Sequence, residues 1–176
     1  MKGPERIETA RLVLRKPTPA DAEAVFLRYA SDPEVTKFLS WRRHQSIEET
    51  RVFLECCQRE WTQWASGAYL IESREPMRLL GSTGLHFETP VIAITGYVLA
   101  KDAWGYGYAT EALSAIVEVA RTLGVRSLRA SCHGENITSM RVLEKCGFVR
   151  EKPDHCVTFP NLGPIPVESL GYVRRF

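Results

Sequence analysis

Ile92-Ala93-Ile94-Thr95-Gly96-Tyr97-Val98-Leu99-Ala100 runs without a charge into Lys101-Asp102-Ala103-Trp104. Gly105-Tyr106-Gly107-Tyr108-Ala109 then opens a segment in which Ala109, Ala112, Leu113, Ile116, Val117, Ala120 and Leu123 recur at helical spacing. The first run reads as a strand apolar enough to be buried on both faces, and the second as an amphipathic helix closed by Gly124. Glycines between them expose successive backbone N–H groups at a helix N-terminus, where the macrodipole favours an anion. The expected ligand is phosphorylated, although a glycine pair by itself also fits a plain tight turn.

Two better-known phosphate motifs do not fit. A Walker loop needs Gly-Lys followed by Ser or Thr, and here the chain reads Gly107-Tyr108-Ala109-Thr110 with no lysine. A dinucleotide fingerprint needs a third glycine where Thr110 stands, at the start of a repeated β-α-β unit. Instead Tyr69 to Ile71, Leu79 to Phe87 and Val91 to Ala100 read as consecutive strands of a meander.

Upstream, Arg11-Leu12-Val13-Leu14-Arg15 reads as a first strand ended by Pro17 and Pro19. A helix capped by Asp21 follows, with Ala22, Val25, Phe26 and Tyr29 on one face until Asp32-Pro33. Ser46 and Glu49 form a capping-box signature for a second helix. Its broad apolar face is Val52, Phe53, Cys56, Cys57 and Trp61, and Gly67 marks its end. Downstream, Ser127 to Cys132 reads as a strand and Asn136 to Cys146 as a short helix stopped by Gly147. A final strand region runs from Phe148 to Phe176. This is the pattern of one domain over residues 1–176, an α/β (α+β) fold with a mixed, mainly antiparallel sheet flanked by helices.

Composition narrows the function. The 176 residues are 44% hydrophobic and 25% charged, and 23 basic against 21 acidic residues give a net charge of +2 without a basic run. Neither nucleic acid nor a membrane surface is an expected partner. Cys56, Cys57, Cys132, Cys146 and Cys156 are odd in number and contain no C-x-x-C pair, so neither a disulfide framework nor a zinc site is expected. Reduced thiols, the charged N-terminal stretch and the lack of a long apolar run point to a cytoplasmic protein, and the sequence leaves monomer and homodimer both open.

The order of strand, Trp104-Gly105-Tyr106-Gly107-Tyr108-Ala109-Thr110-Glu111-Ala112, long helix and strand continues into Asn136-Ile137-Thr138-Ser139 and Glu144-Lys145-Cys146-Gly147-Phe148. It resembles the GCN5-related N-acetyltransferase (GNAT) superfamily. The nearest likeness is to the ribosomal-protein N-terminal acetyltransferase (RimJ/RimL-like) branch, to which Glu8 to Arg15 and Asp32-Pro33-Glu34-Val35 are also similar. The resemblance implies acetyl-CoA as cosubstrate and a sheet split near its site. Trp104, Gly105, Tyr106, Gly107, Tyr108 and Ala109 would hold its pyrophosphate through backbone amides, Trp104 standing where the superfamily has Gln or Arg. It further implies a bulge near Tyr97, Val98 and Leu99 that receives the pantetheine arm, and a cofactor contact at Asn136, a residue that serves equally as a helix cap.

Transfer of an acyl group from a thioester to an amine needs a deprotonated amine and a proton for the departing thiolate. The superfamily's Tyr acid falls at Leu143. In the branch a Ser takes that role, and Ser139 occupies its place, where it also fits a first-turn hydroxyl satisfying the backbone. The branch's Glu base falls at Ile94, which leaves Glu88 and His86 on the preceding strand as candidates. The acceptor walls are expected in Phe38 to Trp64 and after Phe87. There Trp41, Arg42, Arg43 and His44 read either as a surface for an acidic peptide or as core plus a solvated loop. The implied reaction is acetylation of a primary amine, a protein or peptide N-terminus first. An antibiotic, a polyamine or an amino acid is the alternative acceptor, and a non-catalytic acyl-CoA sensor the rival class.

Overall fold

The computed structural model describes residues 2–152, 157–164, 167 and 169–176. An eight-stranded sheet is its frame, built from β1 (Arg6–Glu8), β2 (Leu12–Arg15), β3 (Ala68–Ser73), β4 (Arg78–Thr89), β5 (Ile92–Leu99), β6 (Ser127–His133), β7 (Val149–Glu151) and β8 (Ser169–Arg175). The spatial order is β1-β2-β3-β4-β5-β6-β8-β7, antiparallel throughout except for β5 with β6. The parallel step is a crossover, and the helix that makes it is the one expected from its stripe: α4 (Tyr108–Thr122) buries Ala112, Leu113, Ile116, Val117, Val119 and Ala120. Gly124, at φ 82°, ends it. Burial of Leu113 and Ile116 contributes about 1.5–3 kcal/mol each, so packing against the sheet fixes α4 more firmly than helix propensity does.

Alternation along the strands sorts two cores. Tyr69, Ile71, Leu85 and Ala93 cluster with α4 and with α5 (Ile137–Lys145) through Val142 and Leu143. Leu70 and Val98, one residue out of phase, pack on Val25, Tyr29, Ala30 and Val35 of the helical segments between β2 and β3.

Those segments depart from the expected pattern. The single helix after Pro19 becomes a 3-10 turn (Pro19–Asp21), α1 (Ala22–Val25) and a π turn (Phe26–Ala30), followed by α2 (Pro33–Thr36). Asp21 does not cap by accepting from the following turn. Its carboxylate accepts from the Thr18 amide at 2.7 Å and hydroxyl at 2.8 Å, and pairs with Arg15 at 2.6 Å. In α3 (Ile47–Trp64), Ser46 caps the Glu49 amide as expected, but the Glu49 carboxylate turns to the Gln45 amide, and Ala65 at φ 54° ends the helix. Its buried face is Thr50, Leu54, Cys57 and Trp61, so the stripe read from Val52 and Phe53 is rotated outward; Val52 is exposed. β1 was not expected at all, and the final strand region divides into β7 and β8. Cys156 lies outside the described residues. Among those described, no helix is long and apolar enough to cross a membrane.

The split in the sheet falls where β5 meets β6. Pairing joins only Ile92, Ala93 and Ile94 to Ser127, Leu128 and Arg129. Beyond them β5 stays bonded to β4 and β6 to β8, so the facing edges from Thr95 to Leu99 and from Ala130 to His133 diverge. The expected bulge at Tyr97 to Leu99 is corrected in this respect: the β4–β5 register runs unbroken from Ala93 to Leu99. The two strands approach closely there all the same: a Cβ on Gly81 would sit 1.9 Å from the Val98 carbonyl oxygen. The register shift in this pair lies between Phe87 and Thr89, which makes Glu88 the extra residue.

Candidate functional site

An open cleft of about 1430 Å³ runs from the split in the sheet to the helical segments after β2. At one end is the glycine turn. Gly105 and Gly107 adopt φ of 84° and 79°, the left-handed region in which a side chain is strained. Among the described residues the amides of Gly105, Tyr106, Gly107, Tyr108 and Ala109 have no protein acceptor, which leaves them able to donate to an anion. The Trp104 indole donates to the Leu99 carbonyl at 2.8 Å and ties the turn to the end of β5.

The turn is also held from the far edge of the sheet. Glu111, in the first turn of α4, accepts from the Thr9 hydroxyl at 2.6 Å, the Arg11 amide at 2.8 Å and Arg11 Nε at 2.7 Å. Arg11 passes the restraint on, donating to the Tyr106 carbonyl at 2.9 Å and lying 4.8 Å from the Tyr108 ring centroid. Burial alone would raise the Glu111 pKa, but hydrogen bonds from Thr9 and Arg11 and the Arg11 charge leave it below the ordinary carboxylate value. Thr9, Arg11 and Glu111 all stood in the quoted stretches, yet nothing local marked them as a unit.

In the middle of the cleft the Tyr97 hydroxyl lies 2.9 Å from Ser139 Oγ and 3.1 Å from the Ser139 carbonyl. Burial, offset in part by the Ser139 hydrogen bond, holds the phenol well above the usual tyrosine range, so it keeps its proton at neutral pH. Tyr97 was expected only as part of a strand bulge; its contact with a helix 42 residues away is a tertiary fact. Asn136 caps α5, its Oδ1 accepting from the Ser139 amide at 3.1 Å, while its Nδ2 has no partner among the described residues. Beside them the Cys132 thiol is buried and pushed up to about 11, chiefly by burial. A neutral thiol of that kind is a poor nucleophile.

His86 and Glu88 line the same cleft but make no hydrogen bond to Ser139 or Tyr97. His86 Nδ1 contacts the Glu60 carboxylate from α3, and Glu88 pairs with Arg129 of β6 at 3.6 Å. The aromatic and basic stretch separates: Trp41 is half-buried against the Val25 cluster and faces the cleft, Arg42 is exposed, and Arg43 is bonded through its backbone to Asn161.

The family model for the acetyltransferase (GNAT) domain matches residues 11–149. An uncharacterized N-acetyltransferase of Bacillus subtilis, YoaA, is 31% identical over 148 residues, 82% of this chain and 83% of its own. A GNAT-family acetyltransferase structure from Bacillus anthracis superposes with a TM-score of 0.78 at 26% identity, covering 96% of this chain and 95% of that one. This chain belongs to the GNAT acetyltransferases: it is an acyltransferase that uses acetyl-CoA. RimL, the ribosomal L7/L12 alpha-N-protein acetyltransferase solved with coenzyme A, shares the fold at a TM-score of 0.81 and 22% identity over 97% of this chain and 98% of its own.

Proposed function

We propose that the chain acetylates an α-amine, that of a peptide or protein N-terminus in the first place. The Tyr97–Ser139 pair at the split carries the reading. The Gly105 to Ala109 amides take the pyrophosphate of acetyl-CoA, the free edge at Val98 and Leu99 receives the pantetheine arm, and Asn136 Nδ2 supplies a further donor. That run would bring the thioester to Ser139. The amine lone pair forms the new C–N bond as the C–S bond breaks, and the sulfur leaves with a proton from Ser139 Oγ. The hydroxyl regains a proton originating on the amine, directly or through water, so the reaction yields amide and thiol with no net proton. Tyr97, always protonated, orders Ser139 through its contacts with the Ser139 hydroxyl and carbonyl. Cys132 remains a thiol, so acetyl passes directly to the amine.

The acceptor follows from the proton balance. No carboxylate or histidine among the described residues hydrogen-bonds to Ser139 or Tyr97, and the base candidates are engaged elsewhere, Glu88 with Arg129 and His86 with the Glu60 carboxylate. Deprotonating an α-amine of pKa about 7.7–8.0 costs about 1–1.4 kcal/mol at pH 7, whereas a lysine at about 10.4 costs about 4.6. Water at Glu88 or His86 suffices for the first and not for the second. The test is an acetyl-CoA turnover screen over peptide N-termini, amino acids, polyamines and aminoglycosides, with Ser139→Ala and Tyr97→Phe alongside. Peptide N-termini should be turned over fastest, Ser139→Ala should lose about 10²-fold in kcat, and Tyr97→Phe should lose less with acetyl-CoA KM unchanged. Faster acetylation of lysine side chains than of N-termini at neutral pH, or full activity in Ser139→Ala, refutes the reading.

A further inference from the structure

The acceptor end of the cleft has an aromatic wall and a latch. Phe38, Trp41 and Phe53 line it half-buried, and Phe159, buried, closes it from the β7–β8 connection. Phe38 stacks on His133 at 4.9 Å between centroids, and His133 meets Phe159 edge-on at 5.0 Å. Trp41 and Phe53 share His44 between them, at 5.2 and 6.0 Å. Asn161 joins the two groups. Its Nδ2 donates to the Thr36 carbonyl at 2.7 Å and the Trp41 carbonyl at 2.9 Å, and its Oδ1 accepts from the Arg43 amide at 2.9 Å. One side chain thus holds three points of the loop carrying Phe38 and Trp41 against the segment carrying Phe159. The same wall reaches the chemistry, because His133 Nδ1 accepts from the Glu135 amide, next to the Asn136 cap of the helix that bears Ser139.

The charges around the cleft say what does not belong there. A polycation needs several uncompensated carboxylates, yet Glu34 is paired with Lys101, Glu88 with Arg129 and Glu151 with Arg175, so among the described residues only Glu60 and Glu135 of the lining carboxylates have no Lys or Arg partner. Lys37 sits over the Phe38 ring on the same wall. Apolar surface with few uncompensated carboxylates favours a ring or a branched alkyl group over several ammonium groups.

Resting on the amine-acetylation reading above, we infer that the acceptor carries a large apolar or aromatic group beside its amine, seated on Phe38, Trp41, Phe53 and Phe159. Asn161 is the positioning residue that keeps this wall closed. Phenylalaninamide, glycinamide, spermidine and an aminoglycoside are titrated calorimetrically into the protein saturated with coenzyme A. Phenylalaninamide should bind at least about tenfold more tightly than glycinamide, and more tightly than spermidine or the aminoglycoside. Asn161→Asp, which cannot donate to Thr36 and Trp41, should bring that preference below about threefold while coenzyme A affinity stays within about twofold. Phe53→Ala, which leaves the latch intact, should lower the preference as well. Tighter binding of spermidine or the aminoglycoside, or a tenfold preference persisting in either variant, overturns the inference. Turnover of the same amines is read separately: binding with the expected preference but transfer to none refutes the proposed function and leaves the subsite standing.

Discussion

Removing the Glu111 carboxylate tests the claim that the cofactor turn is held from the opposite edge of the sheet. In Glu111→Ala the Thr9 hydroxyl and the Arg11 amide lose an acceptor that is only 18% exposed. Such bonds to a charged group contribute about 1.5–3 kcal/mol each when intact. The Arg11 guanidinium is 49% exposed, so its ion pair adds no more than about 1 kcal/mol. A loss of about 3 kcal/mol follows once water replaces part of the lost bonding, or about 6–12 °C in Tm for a chain of this size. Binding should weaken too. With Arg11 no longer aimed at the Tyr106 carbonyl, about one residue's backbone ordering, about 1–2 kcal/mol, moves into the binding step and raises the coenzyme A Kd about tenfold.

The pH dependence carries the same signature with a definite sign. The folded Glu111 pKa is depressed, so its contribution is fully present above the unfolded value of about 4.3 and is lost as pH falls through the folded value. Wild-type Tm should therefore fall in that acid window by more than that of Glu111→Gln. Urea or thermal unfolding with calorimetric coenzyme A titration measures both effects. An unchanged Tm, or a lowered Tm with coenzyme A affinity within twofold, refutes the clamp.

Two glycines give complementary expectations. Gly107→Ala meets nothing closer than Arg11 at 3.6 Å, so its cost is the left-handed backbone alone, about 1–2 kcal/mol; coenzyme A affinity should fall while far-UV circular dichroism is unchanged. Gly81→Ala places a Cβ 1.9 Å from the Val98 carbonyl, so the β4–β5 pairing must shift; hydrogen exchange should quicken in β5 near Val98 and Leu99, and the variant should be less stable than Gly107→Ala in urea.

Local patterns were legible wherever one element's own chemistry decided them. The stripe from Ala109 to Leu123 requires a helix with one buried face whatever it packs on. The positive φ at Gly105 and Gly107 belongs to the residue type as much as to the fold. The Ser46 and Asn136 caps were also readable, since a cap spans only three residues. Readings failed where neighbours outvoted local preference. The segment from Pro19 to Ala30 has helical spacing, yet Arg15 takes Asp21 away from capping and the chain tightens into 3-10 and then widens into π geometry. The face of α3 turned because Thr50 and Leu54 meet the core in place of Val52 and Phe53.

The sequence by itself determined the reaction class: the glycine turn between an apolar strand and a striped helix points to a phosphorylated ligand, and with the Asn136 to Phe148 run it carries the family likeness that implies acetyl-CoA. Only the tertiary structure decided how the site is assembled. Tyr97 reaches Ser139 because β5 and β6 part after three paired residues. Glu111 reaches Thr9 and Arg11 across about a hundred residues of chain, and Asn161 reaches Thr36, Trp41 and Arg43 across still more. Periodicity and spacing report neighbours within a turn or a strand, whereas these contacts exist only once the sheet order has brought distant segments to one cleft.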